Sequence, residues 1–426
     1  MEFFKSEAIQ IKGNVEAPMN NSKAFLNVKS EIGKLKAVLL HRPGKELERL
    51  TPQSLDELLF DDIPWLKQMQ REHDAFADVL RERGCRVYYY EELLEQILES
   101  KDVKERLVAE ALRLSDISSI RLKDEISGFL MKKNSAELSE VLIAGIHKDD
   151  FPDPGKAKTL ADYIEEDYPF YMDPIPNLYF TRDPGAVIGN GLSVNSMNTR
   201  ARNRETMMLK YLYSEHALFR KNESPLWYDY SCKNSIEGGD IFVISDSVVL
   251  IGCSERTSPK AIEKIAENLF GGDSGIREVY AVQIPFAWAY MHLDTVFTML
   301  DYDKFTIYPG VEESVYAYRL TPGKKGTLKV EPMQSLKKAL KKALKVPAIE
   351  FIQSGGGDEI TAAREQWNDS TNTLAIAPGV VVTYNRNESS NETLRQRGIE
   401  VVEIEGSELV RGRGGPRCMS MPLVRE

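Results

Sequence analysis

Cys418, His292, Asp183, Glu237 and Asp294 are residues of this chain whose types, taken together, could do covalent chemistry. A cysteine thiolate is a strong nucleophile near neutral pH. Cys418 stands in the terminal stretch "RGRGGPRCMSMPLVRE", beside Arg411, Arg413 and Arg417, and the guanidinium groups of Arg413 and Arg417 would favour the thiolate. His292, in "MHLD", is of the type that moves protons near pH 7. The acids narrow the substrate. Acyl transfer needs hydrogen-bond donors around a developing oxyanion, which carboxylates would repel. A pocket with Asp183 of "PNLYFTRDP", Glu237 of "EGGD" and Asp294 is rich in acceptors and prefers a cation. Guanidinium is planar, with five N–H donors in a rigid fork that two carboxylates can grip. Attack of Cys418 on a guanidinium carbon is the reaction that uses every part.

Each residue alone has a plainer reading. Asp183 precedes a proline and could be a turn residue. His292 could be a satisfied structural histidine, "EGGD" a tight turn, and the arginine- and glycine-rich tail a solvated, mobile end. Their comparable places in a repeat bring them together.

That repeat is a hairpin, a helix and a strand. "DIFVISDSVVLIG" reads as two β runs around a turn, followed by "SPKAIEKIAENLFGG" with Ser258 as N-cap and Pro259 at the first helical position, then "REVYAVQIP". The unit recurs in "GAVIGNGLSVNSM", which turns at Asn190-Gly191, then "RETMMLKYLYSEHALF" and "PLWYDYS". It recurs from "DTVFTMLDYDKFTIYP" through "SLKKALKKALK" to "AIEFIQ", and from "NTLAIAPGVVVTYN" through "NETLRQRG" to "IEVVEIEG". A fifth, split copy joins "LKAVLLHRPG", "MQREHDAFADVLRERG" and "RVYYYE". Between about 91 and 150 the pattern is helical and interrupts the repeat. Such periodicity predicts a repeat architecture, propeller-like or arrayed; the other reading is an irregular α/β sheet. In three units a polar cluster stands immediately before the first strand, "PNLYFTRDP", "IEGGD" and "MHLD", and a fourth, "SGGGDE" (354–359), precedes the fourth hairpin after a longer loop. If pseudo-rotation relates the units, Asn177, Arg182, Asp183, Glu237, Asp240, His292 and Asp294 line one cavity, and Cys418 comes round to its mouth.

Bulk properties exclude several classes. The 426 residues are 42% hydrophobic and 28% charged, with a formal net charge of −10. An acidic chain is a poor bulk partner for nucleic acid. No apolar run approaches membrane-spanning length, and the N-terminus has no secretory pattern. Cys85, Cys232, Cys253 and Cys418 are scattered, without paired spacing, which points to a reducing, cytoplasmic setting. With His41, His73, His147, His216 and His292 also dispersed, no dedicated metal site is expected.

The motif series "PNLYFTRDP", "EGGD", "GCSERTS", "HLDTVFTM" and "GRGGPRCMSMPL", with the earlier "LLFDDIPWLKQMQREHDAF", resembles that of the bacterial arginine deiminases. The likeness runs from about Leu35 to Glu426 and leaves residues 1–30 as an N-terminal arm. It implies an α/β fold, a five-module pseudo-symmetric propeller (pentein), carried by a domain at 31–426 with a helical insertion at about 91–150. It implies hydrolysis of free L-arginine to L-citrulline and ammonia, without cofactor, through a covalent S-alkylthiouronium. Cys418 resembles the nucleophile, Asp183 and Asp294 the guanidinium-holding carboxylates, His292 the acid/base and Glu237 its partner. Asp240 would support the site. Arg202 and Arg256 match carboxylate-binding arginines, Asn177 and Phe180 residues along the substrate, and Arg413 an arginine of a mobile loop. Arg417 stands where some members carry histidine. A homodimer or higher assembly is implied. Rival readings are a sister activity on agmatine or methylated arginine, an amidinotransferase, a silent arginine-binding protein, and a papain-like protease.

Overall fold

The computed structural model describes residues 25–115, 117, 119–151, 168–220, 224–287 and 290–426. The chain is a mixed α/β protein, and five of the six sheets among the described residues repeat one small plan. Strands Gly185–Ile188 and Gly191–Val194 form an antiparallel hairpin, and Leu226–Tyr228 joins the second of them in parallel after the helix Asn203–Glu215. A hairpin joined to a parallel third strand needs a crossover, and a helix supplies it.

The plan recurs with Ile241–Ser245, Val248–Cys253, helix Pro259–Gly271 and Glu278–Gln283. The Ser258 hydroxyl caps that helix and Pro259 opens it, as expected. It recurs again with Phe297–Met299, Lys304–Ile307, helix Leu336–Leu344 and Glu350–Gln353. A further copy is Leu374–Ala377, Val380–Tyr384, helix Glu388–Gln396 and Glu400–Ile404. The split copy is closed by the end of the chain. Leu35–Leu40 pairs in parallel with Arg86–Tyr89 and antiparallel with Met421–Arg425, with helix Leu66–Glu82 as crossover. The strand that follows Cys418 is therefore a working member of a sheet.

Two features depart from the sequence reading. The stretch 316–333 forms a hairpin, Tyr316–Pro322 with Leu328–Met333, that widens the second sheet to five strands. The longer stretch between "SGGGDE" and the fourth hairpin holds a helix. Asp358 caps that helix, Glu359–Trp367, its carboxylate accepting the Thr361 N–H at 2.7 Å. Asn and Asp favour such caps because the side chain meets an otherwise unpaired donor.

Helices Tyr90–Leu98, Lys101–Leu114, Ile120–Met131 and Ser135–Ala144 occupy most of the stretch read as helical. Their apolar faces, including Leu94, Leu107, Ile126 and Leu142, join the core built on Val187, Leu192 and Met208. Of the expected arm, residues 1–24 lie outside the described residues. Asn27 and Val28 make bridges to Val424 and Gly189. No helix among the described residues is long and apolar enough to cross a membrane.

Candidate active site

Each of the five repeated sheets delivers residues from the turn just before its first strand. Asp183 precedes Gly185–Ile188; Glu237 and Asp240 precede Ile241–Ser245; His292 and Asp294 precede Phe297–Met299. Asn372 precedes Leu374–Ala377, and Cys418 precedes Met421–Arg425. These turns meet at one buried cavity. Asn177, Phe180, Asp183, Arg202, Arg256, His292, Arg413 and Cys418 line it, together with Leu59, Asp61, Met291, Thr295 and Gly412. Glu237 adjoins this lining through His292 and Asp294 through Cys418, and these two acids and Asp240 are fully buried.

His292 and Glu237 form a close pair, Nε2 to Oε2 at 2.7 Å, and His292 Nδ1 is 4.0 Å from Asp183 Oδ1. Burial lowers the imidazole pKa, but Asp183, Glu237 and Asp240 outweigh it and raise it to about 9. For Glu237, burial works upward, and the His292 hydrogen bond and charge win, pulling it down to about 2. At neutral pH the pair is an imidazolium held by a carboxylate. Gly239 makes the close approach possible, because a Cβ there would lie 2.7 Å from His292 Cγ. Asp240 buttresses from behind, accepting the Ser254 hydroxyl at 2.6 Å and the Leu293 N–H at 2.8 Å.

Asp183 accepts Arg202 Nη1 at 2.7 Å on one oxygen and the Gly239 N–H at 3.2 Å on the other. Arg202 also grips Glu205, with Nη2 to Oε2 at 2.9 Å, so its charge is shared between two acids. Asp294 meets Arg417 through Oδ2 at 2.7 Å, while its buried Oδ1 has no partner among the described residues. Arg256 reaches Met291 Sδ at 3.6 Å, and its buried Nε is likewise unpartnered. Asp183, Glu237 and His292 bring polar atoms within 4.8 Å of one another, a spacing a cation could use. Arg202 already supplies positive charge to that cluster.

Cys418 Sγ lies 3.6 Å from Asp294 Oδ2 and receives a hydrogen bond from Asn372 Nδ2 at 3.1 Å. Burial, with Asp294, Asp183 and Asp369 nearby, pushes the thiol well above its ordinary pKa, against the opposing pull of Arg417.

The tail that carries this cysteine is packed. A Cβ at Gly414 would lie 2.3 Å from the Phe180 ring, so glycine there serves close contact. Arg182, expected in the cavity, instead pins this segment from outside it: its Nε donates to the Arg417 carbonyl at 3.2 Å. Arg413 has the left-handed φ of 62°, rare for a residue with a side chain. Its guanidinium lies 3.5 Å over the Trp367 ring and pairs with Asp61 at 3.2 Å.

A model of the arginine deiminase family matches residues 56–425. The chain belongs to the arginine deiminase family. Among its relatives, an arginine deiminase of Latilactobacillus sakei is 49% identical over 404 residues, 94% of this chain and 98% of that one. One from Bacillus cereus is 48% identical over 405 residues, with the same coverage. Solved structures share the fold at low identity. SxtG, an amidinotransferase from Microseira wollei, aligns at 13% identity with a TM-score of 0.55, covering 94% of this chain and 98% of that one. The N-terminal domain of ArgZ, an arginine dihydrolase from cyanobacteria, aligns at 14% identity with a TM-score of 0.51, covering 91% and 97%.

Within this deiminase scaffold Arg417 is a fully buried organiser of the site. Its Nη1 donates to Asp294, its Nη2 to the Ile241 carbonyl at 2.8 Å and its Nε to Glu31 Oε2 at 3.3 Å. Removing one partner of a buried ion pair leaves the others uncompensated, at a cost of about 3–5 kcal/mol. Arg417→Ala should lower unfolding stability by about that much, read by urea or thermal denaturation. A loss under about 1 kcal/mol would show that the pair is not needed for the fold.

Asn372, Asp61 and Thr295 were not singled out in the sequence. For Asn372 a signal exists: it stands two residues before its strand, as Asp183 does before Gly185.

Proposed function

We propose that the chain hydrolyses free L-arginine to L-citrulline and ammonia, with Cys418 as nucleophile. The observation that supports this most is the make-up of one cavity. It holds a thiol, an imidazolium and acids suited to a guanidinium, beside arginines with unpartnered N–H groups suited to a carboxylate.

The guanidinium enters against Asp183 and the free Oδ1 of Asp294. Its positive charge offsets the acids that disfavour the thiolate, so substrate binding itself promotes ionisation of Cys418. The Sγ–carbon bond forms, and the tetrahedral adduct expels a terminal nitrogen as ammonia, protonated by His292. The resulting S-alkylthiouronium is attacked by water that gives a proton to the now neutral His292. The carbon–sulfur bond then breaks as the adduct's hydroxyl forms the carbonyl and loses its proton to solvent, releasing citrulline and the thiolate. Glu237 holds His292 throughout. Arg256, Arg202, Asn177, Phe180 and Arg413 fix the amino-acid end and stem; Arg256 is the freer cation, because Arg202 is shared by Asp183 and Glu205.

The same proposal includes the architecture: five modules of a pseudo-symmetric α/β propeller at 31–426, with a helical insertion at about 91–150. The repeated strand plan and the shared placement of site residues support it. A cytoplasmic homodimer or higher assembly is part of this reading, supported by four unpaired cysteines for the compartment and by family resemblance for the assembly.

The test is production of citrulline and ammonia from arginine, with agmatine and methylated arginine as competitors. Activity on agmatine alone would contradict the reading. Arg256→Ala should raise KM for arginine about 10–100-fold, the worth of a charge-assisted hydrogen bond. An unchanged KM would remove Arg256 from the carboxylate site.

A further inference from the structure

Asn372 has no role in the mechanism above, yet its side chain touches the nucleophile. Its buried carboxamide makes three bonds. Oδ1 accepts the backbone N–H of Cys418 at 3.0 Å, and Nδ2 donates to Cys418 Sγ at 3.1 Å and to the Asp294 carbonyl at 3.2 Å. The first and third bonds decide which way the amide faces. A backbone N–H can be met only by the oxygen and a carbonyl only by the NH2, so the NH2 must point at sulfur.

The neighbouring threonines hold the segment in place. Thr371 Oγ1 donates to the Thr295 carbonyl at 2.6 Å, and Thr298 Oγ1 donates to the Thr371 carbonyl at 2.7 Å. Asn372 thus ties the turn bearing Asp294 to the turn bearing Cys418.

The sulfur needs such a donor. Asp294, Asp183 and Asp369 surround it with negative charge, and Arg417 directs its N–H groups to Asp294, Glu31 and two backbone carbonyls. Among the described residues, Asn372 is the side chain that donates a hydrogen bond to Sγ. We propose that Asn372 is a catalytic hydrogen-bond donor: it aims Sγ into the cavity and stabilises the thiolate as it forms and as it departs. A neutral amide keeps its donor at every working pH and adds no cation to repel the incoming guanidinium. The proposal rests on Cys418 as nucleophile, and its test separates the two.

The test uses the full chain with Asn372→Asp and Asn372→Ala. Asp keeps nearly the same shape and the acceptor for the Cys418 N–H, but its carboxylate cannot donate to sulfur. The first readout is the pH dependence of Cys418 alkylation by iodoacetamide, followed on the Cys418 peptide without arginine. The second is kcat and KM for citrulline formation. A hydrogen bond to a charged group corresponds to about 1–2 pH units, so the alkylation midpoint should rise by about that much in both variants. On the same basis kcat should fall about 10–100-fold, with KM changed by less than about threefold. Either folded variant with a wild-type midpoint and kcat overturns the donor role. Wild-type protein that alkylates normally but makes no citrulline contradicts the proposed function and leaves the donor role to be judged by the midpoint alone.

Discussion

Cys418→Ser abolishes citrulline formation, lowering kcat by at least about 10⁴-fold, while the protein stays folded. The size follows from the step replaced. A serine hydroxyl in this setting has no base to ionise it: His292 is already held as an imidazolium by Glu237 and Asp183, which raise it to about 9. The acids that push the thiol upward push a hydroxyl further still, and the guanidinium that helps a thiolate form cannot bring an alcohol into range. Folding is spared because the change is one atom at a residue whose backbone N–H stays bonded to Asn372 Oδ1. Arginine should still bind, since Asp183, Asp294 and Arg256 are intact, and titration calorimetry on the variant would show it. Retained turnover would move the nucleophile elsewhere. A variant that neither turns over nor binds would mean the substitution damaged the pocket.

His292→Asn should lower kcat by about 10²–10⁴-fold, the usual worth of a positioned general acid/base. The loss falls on both halves of the reaction, ammonia departure and water activation. The companion variant Glu237→Gln reads the electrostatics. In the native site burial lowers the His292 pKa, and Asp183, Glu237 and Asp240 overcome it. Glu237→Gln removes one of these charges and weakens the 2.7 Å bond, so the His292 pKa falls. The acid form is then lost at lower pH, and the alkaline limb of kcat should move down by about one unit or more. An NMR titration of His292 provides the same reading without turnover. An alkaline limb and a titration both unmoved by Glu237→Gln would show that Glu237 does not govern the imidazole.

Much of this site was legible in the sequence because its residues obey a local rule. Asp183, Glu237, His292 and Asp294 each stand next to a hairpin whose strands alternate clearly, so register in the repeat predicted their convergence. The helix starting at Pro259 was legible for the same reason, with its cap spelled out by Ser258. What the sequence hid depends on contacts distant along the chain. Met421–Arg425 lies in a tail whose composition reads as a solvated, mobile end, and only pairing with Leu35–Leu40 shows that it completes a sheet. That pairing turns an apparently mobile tail into a packed segment. Arg417 looked like a charge beside a thiol; its burial between Asp294 and Glu31 depends on residues more than a hundred positions away. Asn372 was missed because the longer loop before its strand offered a more conspicuous acidic cluster, whose Asp358 is a helix cap. The hairpin at 316–333 was passed over because it lies outside the repeat and extends a sheet already complete by pattern.

The packed tail also bears on Arg413. Its guanidinium is held between Trp367 and Asp61 at the cavity wall on a backbone of left-handed φ, and strain of this kind gathers where a side chain must be presented in one direction.

In the proposed reaction Cys418 becomes covalently bonded to the guanidinium carbon. This bond is tested most directly by quenching the wild-type enzyme in acid during turnover of arginine and weighing the peptide that contains Cys418. An adduct equal to arginine less one ammonia is expected on Cys418 and on no other cysteine, disappearing once substrate is consumed. Steady citrulline production with an unmodified Cys418 peptide at every quench time, or an adduct on Cys85, Cys232 or Cys253, would contradict it.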